Sequence, residues 1–225
     1  MPVAGSFIEE IKKYFVNTTP KIILDVGSRD LEESIQISHA FPDARIIAFE
    51  PNPIQFKICQ KNAKLYPNIE VYEYACSDDE AIVDFFIVEG NIGASSILEP
   101  MRMPGGWDNG YQERPWHKIS GITTKRLDDI LTELGITQVD VIWIDVQGNE
   151  LRALKGMGKL INNVKMIHAE AALRPYYKGH QLKEELEQWL NEEGFDTEFL
   201  DLRAQAEHPY GESDLLCIRK NIHNM

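Results

Sequence analysis

Four acidic residues stand where an apolar run gives way to a turn, and they are the first candidates for chemistry. Asp25 closes the run Ile22-Ile23-Leu24, Glu50 closes the segment 45–49, Asp145 closes 139–144, and Glu170 follows 164–169. A carboxylate is costly to bury without a partner. A strand that delivers one into its C-terminal turn either caps the next helix or holds a ligand. In an open α/β sheet, ligands bind beyond the carboxyl ends of the strands, where the strand order reverses. Gly27, in the stretch KIILDVGSRD over 21–30, permits backbone angles that a side chain forbids and lets a ligand approach the main chain. Glu50 lies 23 residues further on, and a carboxylate there can accept two hydrogen bonds from ribose hydroxyls. The turn Gly27-Ser28-Arg29-Asp30 lacks the second and third glycines that bring a backbone up to a pyrophosphate. A cofactor with a ribose and no phosphate fits better. S-adenosylmethionine (SAM), cationic at its sulfonium and ammonium groups, suits an acidic cleft.

The elements that must position these acids alternate in type. Helical spacing over 7–15 (Phe7, Ile8, Ile11, Tyr14, Phe15) precedes the first strand. A helix over 31–41, a strand over 45–50 and a helix after Pro51-Asn52-Pro53 follow. Next come strands over 69–75 and 81–88, the latter read as hairpin-paired through the turn Asp78-Asp79-Glu80. The stretch 89–123, rich in Gly, Pro, Trp and Met, shows no sustained period and reads as a substrate-side loop. Beyond it the pattern predicts helices over 124–134, 148–161 and 182–193. Strands are predicted over 139–146, 164–169, 195–200 and 214–218. Near-continuous apolar strands between helices predict one α/β domain over 1–225, with a mostly parallel sheet covered on both faces. The last two strands have no helix between them, which predicts an antiparallel closing pair.

Composition narrows the class. A 43% hydrophobic and 9% aromatic content over 225 residues indicates a globular chain with a sizeable core. A net charge of −13 repels phosphate backbones and argues against nucleic-acid partners. Cys59, Cys76 and Cys217 have no zinc-like spacing and read as reduced thiols of a cytoplasmic protein. The N-terminal segment carries Glu9 and Glu10 where a signal peptide would be apolar, and no run reaches membrane-spanning length.

The pieces IILDVGSRD, IIAFEPNP, YACSDDEAIVDFF, GASSI, TTKRLDDIL and VDVIWIDVQGNELRALKGM, in that order and spacing, resemble the FkbM family of SAM-dependent methyltransferases over about 20–170. The resemblance implies a class I methyltransferase (Rossmann-like) fold and O-methylation, often of sugars or related natural-product hydroxyls. It implies that Asp25, Gly27 and Ser28 border the methionine part of SAM, that Glu50 holds the ribose, and that Asn52 lies beside it. By the same resemblance Cys76, Ser77 and Asp78 border the adenine, and Asp145 faces both the methyl group and the acceptor. Gln147 departs from the family, which more often has Glu there.

A sugar hydroxyl is a poor nucleophile until a base takes its proton, and Asp145, Glu170 and His168 are the candidates. His168 and Glu170, two apart on a strand, share a face; His168 reads equally well as a hydrogen-bonded core histidine. Trp107, Tyr111 and Trp116 either stack on a sugar ring or form a small core for their loop. His117, beside Trp116, either faces the acceptor or is solvated. Asp145 and Glu170 are hard-cation donors, but no clear ligand set predicts a metal. The reading is therefore a SAM-dependent O-methyltransferase for a small-molecule or glycan acceptor. Its alternatives are a nucleotide-dependent oxidoreductase, disfavoured by the missing glycines, and a non-catalytic SAM-fold binding protein.

Overall fold

The computed structural model describes residues 3–101, 115–200 and 211–220. The chain runs α1 (Val3–Tyr14), β1 (Ile22–Val26), α2 (Glu32–Ala40), β2 (Arg45–Phe49), α3 (Pro53–Ala63) and β3 (Ile69–Tyr72). It continues with β4 (Ala75–Cys76), β5 (Ala81–Val88), β6 (Trp116–Lys125), α4 (Leu127–Glu133), β7 (Val141–Ile144) and α5 (Glu150–Lys155). Last come β8 (Met166–Ala172), α6 (Lys183–Glu192), β9 (Phe195–Phe199) and β10 (Glu212–Arg219).

Seven strands form one sheet in the order β3-β2-β1-β7-β8-β10-β9. The first five are parallel, and β10 runs antiparallel to both β8 and β9. The antiparallel closure is therefore as expected, with β10 inside and β9 at the edge. Successive side chains of a strand point to opposite faces. Leu24, Ile142 and Ile167 pack with α4, α5 and α6 on one face. Ile23, Val141 and Met166 pack with α1 and α2 on the other. Burying an Ile or Leu side chain is worth about 1.5–3 kcal/mol, so a strand apolar on both faces is stable only between two helical layers. Phe7, Ile8, Ile11 and Phe15 make the stripe that seats α1. At α3 the Asn52 side chain accepts from the Ile54 N–H at 3.0 Å, and Pro53 occupies the first turn, where its missing N–H costs nothing.

A second, three-stranded sheet, β4-β6-β5, overturns four expectations. The segment 116–125, read as the end of a loop, is strand β6, paired antiparallel with β5 from Ala81↔Thr124 to Val88↔Trp116. Five of its first six residues are exposed, so it carries no apolar alternation to read. Consequently β5 does not fold back across Asp78-Asp79-Glu80, and α4 starts at Leu127 rather than at 124. The expected strand 69–75 divides, β3 joining the large sheet and β4 the small one. The expected helix over 148–161 is also shorter: α5 ends at Lys155, and a 3₁₀ stretch, Gly158–Asn163, follows.

Candidate active site

The large sheet reverses its strand order between β1 and β7, and a cleft opens beyond their carboxyl ends. It holds about 590 Å³ of empty space, open solvent included, and both sheets line it. Gly27 is where the two strands meet. Its φ is +95°, and a Cβ added there would lie 1.8 Å from the Asp145 carbonyl oxygen, so only glycine fits. The backbone N–H groups of Gly27 and Ser28 both donate to the Phe49 carbonyl at 3.0 Å, which ties the β1 turn to the end of β2.

Glu50, 6% exposed, follows β2 and lines the cleft. Its carboxylate accepts from the backbone N–H of Arg29 at 2.8 Å and of Asn52 at 2.7 Å. Burial pushes its pKa up to about 8, against the pull of those two N–H groups. Phe49, Tyr74, Phe85 and Ile97 give the cleft an apolar flank, beside Asn52, Gln55, Cys76 and Asn149. Asn149 donates to the Cys76 carbonyl at 3.0 Å, while its own Oδ1 is buried without a partner.

Asp145 and Gln147 line the same cleft. The pairing Ile144↔Ala169 brings Asp145, just past β7, beside Glu170 on β8. Asp214 on β10 pairs directly with Glu170. Three acids therefore lie in one lateral row. Burial drives the Asp145 and Glu170 carboxyls above their usual range, Glu170 well above. The Gln147 amide donates to Asp145 Oδ1 at 2.9 Å and to Glu170 Oε2 at 2.5 Å. Oxygens of Asp145, Glu150 and Glu170 all lie within 4.8 Å of one another. Glu150, however, already accepts from the backbone N–H of Val146 at 2.9 Å and of Gly148 at 3.0 and 3.1 Å. Its carboxyl, pushed up by burial to about 7, clamps the loop between β7 and α5.

The remaining expected site residues fall elsewhere. Asp25 is fully buried under α2, where Ser34 Oγ donates to it, and it does not line the cleft; burial pushes its pKa up to about 7. Ser28 Oγ turns back to the Asp25 carbonyl at 2.9 Å. Ser77 is buried, and Asp78 forms an ion pair with Arg152 at 2.8 Å; neither reaches the cleft wall. His168 shares a face with Glu170 as expected, but its ring stacks on Trp143 with centroids 3.6 Å apart, 1% exposed. Its Nε2 lies 3.0 Å from Asp214 Oδ1. That is the core-histidine reading, one layer beneath the acid row. Trp116 packs edge-on against Phe86, and His117 Nδ1 lies 3.5 Å from Glu89, both away from the cleft lining. Trp107 and Tyr111 lie outside the described residues. The sequence reading singled out neither Gln55, two residues past IIAFEPNP, nor Asn149, inside VDVIWIDVQGNELRALKGM. It also missed Tyr177, whose hydroxyl lies 2.9 Å from Gln147 Oε1 and 2.7 Å from the Ala94 carbonyl. Nothing local marks Tyr177, because its partners are 30 and 83 residues away.

Solved methyltransferases share this fold. The precorrin-6y C5,15-methyltransferase of Geobacter metallireducens superposes with a TM-score of 0.50 at 15% identity, covering 95% of this chain and 87% of its own. A human methyltransferase 10 domain containing protein gives 0.53 at 11% identity, covering 97% and 82%. These likenesses place the chain in the class I methyltransferase fold. Among curated proteins, the 2-O-methyltransferase NoeI of Sinorhizobium fredii is 29% identical over 163 residues, 70% of this chain and 66% of its own length. Methyltransferase sdnD of Sordaria araneosa is 24% identical over 199 residues, 77% of this chain and 73% of its own. The match to the AMB antimetabolite synthetase AmbE of Pseudomonas aeruginosa spans only 8% of that protein. The profile of the methyltransferase FkbM domain matches residues 25–197, and the chain belongs to the FkbM methyltransferase family.

Proposed function

We propose that the chain is a SAM-dependent O-methyltransferase acting on a hydroxyl of a sugar or glycan. The observation that carries the reading is that Glu50, Asp145 and Gln147 line one cleft. The donor chemistry fits SAM. A carboxylate has about four lone-pair sites, and two of Glu50's are taken by backbone N–H groups. The two that remain suit the paired hydroxyls of a ribose. The apolar flank of Phe49, Tyr74, Phe85 and Ile97, with Cys76, suits a flat heterocycle. The unpartnered Asn149 Oδ1 suits a donor on it.

When bound, SAM supplies a methyl group carried on a positively charged sulfur. The chain's own task is to hold the acceptor and take its proton. Asp145 is the group for this: it lines the cleft, and its raised pKa makes the ionised carboxylate a stronger base than a solvated one. Gln147 fixes its orientation at 2.9 Å. Positioning supplies much of the remainder, since an in-line displacement needs little more than alignment. The O-methyl and sugar assignments draw on the family resemblance and on the relative named a 2-O-methyltransferase.

The test is calorimetric titration of SAM and, separately, NADH into the purified protein, followed by transfer of labelled methyl to a panel of sugar acceptors. Heat with SAM, none with NADH, and labelled methyl ether product are expected. No SAM binding overturns the reading. SAM binding with no transfer to any hydroxyl acceptor favours a non-catalytic SAM-binding protein instead.

A further inference from the structure

Gln147 departs from regular backbone to reach the acid row. Its φ is +54°, a left-handed conformation that is uncommon for a residue with a Cβ and costs on the order of 1 kcal/mol or more. The surroundings hold it there. Ser96 Oγ donates to the Gln147 carbonyl at 2.9 Å, and the Tyr177 hydroxyl meets its side-chain oxygen at 2.9 Å. The Glu150 carboxylate grips the N–H groups of Val146 and Gly148 on either side. A strained residue fixed from four directions, with its amide aimed at two half-buried acids, is a feature of the site rather than of the core.

We propose that Gln147 is a positioning residue: its amide, in the place a cation would take, bridges Asp145 to Glu170, and these two acids hold one proton between them. This rests on the methyl-transfer reading above. An ionised carboxylate only accepts hydrogen bonds, so two of them side by side need donors or a cation between them. Among the described residues no lysine or arginine forms an ion pair with either acid. The Gln147 –NH₂ has two hydrogens and gives one to each. It has no lone pair to offer a metal, and Glu150, the third nearby acid, is already occupied by backbone N–H groups. The same cross-link keeps Asp145 pointed into the cleft.

The single proton follows from what faces Glu170. Asp145 comes from β7, Glu150 from the start of α5, and Asp214 and Glu212 from β10. Beneath it on β8 His168 is engaged with Asp214, and the Tyr177 phenol is held by Gln147 and Ala94. No positive charge in that set is aimed at Glu170. Two neighbouring half-buried carboxyls with no cation between them resist ionising together near neutrality, and they titrate as a pair. Glu170 keeps the proton because Asp145 alone borders the cleft. Asp145 is thereby left as the ionised base.

Three variants and two readouts independent of turnover test this. Infrared difference spectra of the wild type against Glu170→Gln at neutral pH are expected to show a carboxylic-acid C=O band that the variant lacks. Glu170→Gln, still a neutral donor, is expected to keep about tenfold more turnover than Glu170→Ala. Its acid limb should shift down by about one pH unit, because the shared proton is gone. Titrated with Mn²⁺, the wild type is expected to give no heat, whereas Gln147→Glu, with a third free carboxylate, binds the ion. Loss of the wild-type activity in EDTA with recovery on adding Mg²⁺, or absence of the acid band, overturns the proposal. If SAM does not bind the wild type, the methyl-transfer reading fails while the infrared and Mn²⁺ results still judge the one-proton bridge.

Discussion

Replacing Glu50 by Gln separates cofactor binding from stability, because the two respond with opposite sign. The Glu50 carboxyl is raised from 4.5 to about 8, chiefly by burial. A carboxyl whose pKa is raised on folding binds more protons in the folded than in the unfolded state, so its contribution falls as pH rises from 4.5 to about 8. Each pH unit in that window costs about 1.4 kcal/mol. At pH 7 the penalty is thus roughly 3 kcal/mol, and at pH 5 under about 1 kcal/mol. Gln carries no such penalty. It presents one oxygen instead of two, so either the Arg29 or the Asn52 N–H loses its acceptor, at about 1–3 kcal/mol regardless of pH. The variant should therefore be less stable than the wild type at pH 5, and equal or more stable at pH 8. Asp25 and Glu150 titrate in the same direction, near 7, but they are present in both proteins and cancel in the difference. SAM affinity should move the other way. Losing hydrogen bonds to a charged acceptor costs about 1.5–3 kcal/mol, a tenfold to hundredfold weaker Kd at pH 8. Urea unfolding of both proteins at pH 5, 6.5 and 8, with SAM calorimetry at pH 8, gives both numbers. A stability difference that does not change with pH would refute the buried-carboxylate argument. An unchanged SAM affinity would refute the ribose assignment.

Other expectations are as direct. Gly27→Ala places a Cβ 1.8 Å from the Asp145 carbonyl at a φ of +95°, and should destabilise by about 3 kcal/mol or more in urea unfolding; a loss under about 0.5 kcal/mol would mean that the ends of β1 and β7 do not meet as described. Asp145→Asn should leave SAM affinity near the wild-type value and lower turnover by about 10²–10⁴-fold, and equal turnover would remove Asp145 as the base. His168→Phe keeps a ring against Trp143 but strands Asp214, so stability should fall by about 1–3 kcal/mol while the pH–rate profile keeps the same limbs. Loss of a limb would return His168 to the proton-transfer chemistry. Tyr177→Phe removes the contact to Gln147 Oε1 and should lower turnover more than it changes SAM affinity, and the reverse pattern would place Tyr177 on the cofactor side.

The sequence by itself determined the alternating architecture and the ends of its strands. Runs such as Ile22-Ile23-Leu24 and Val141–Ile144 are apolar on both faces, and such runs have one stable setting, a parallel sheet between helical layers. The same runs deliver Asp25, Glu50, Asp145 and Glu170 to one edge, and Gly27 announces a turn no other residue could make. Local patterning ends there, because contacts between distant residues leave no period. Which acids face the cleft was decided by neighbours: α2 covers Asp25, whereas Glu50 and Asp145 remain on the wall. His168 kept its predicted face, yet Trp143 on the adjacent strand claimed its ring. Strand β6 was invisible because its outer residues face solvent, and its hydrogen-bonding partners, β5 and β4, lie far back in the chain. Register settled the rest: Ile144↔Ala169 and Asp214↔Glu170 set three carboxyls side by side, and Gln147 and Tyr177 matter only because of that row.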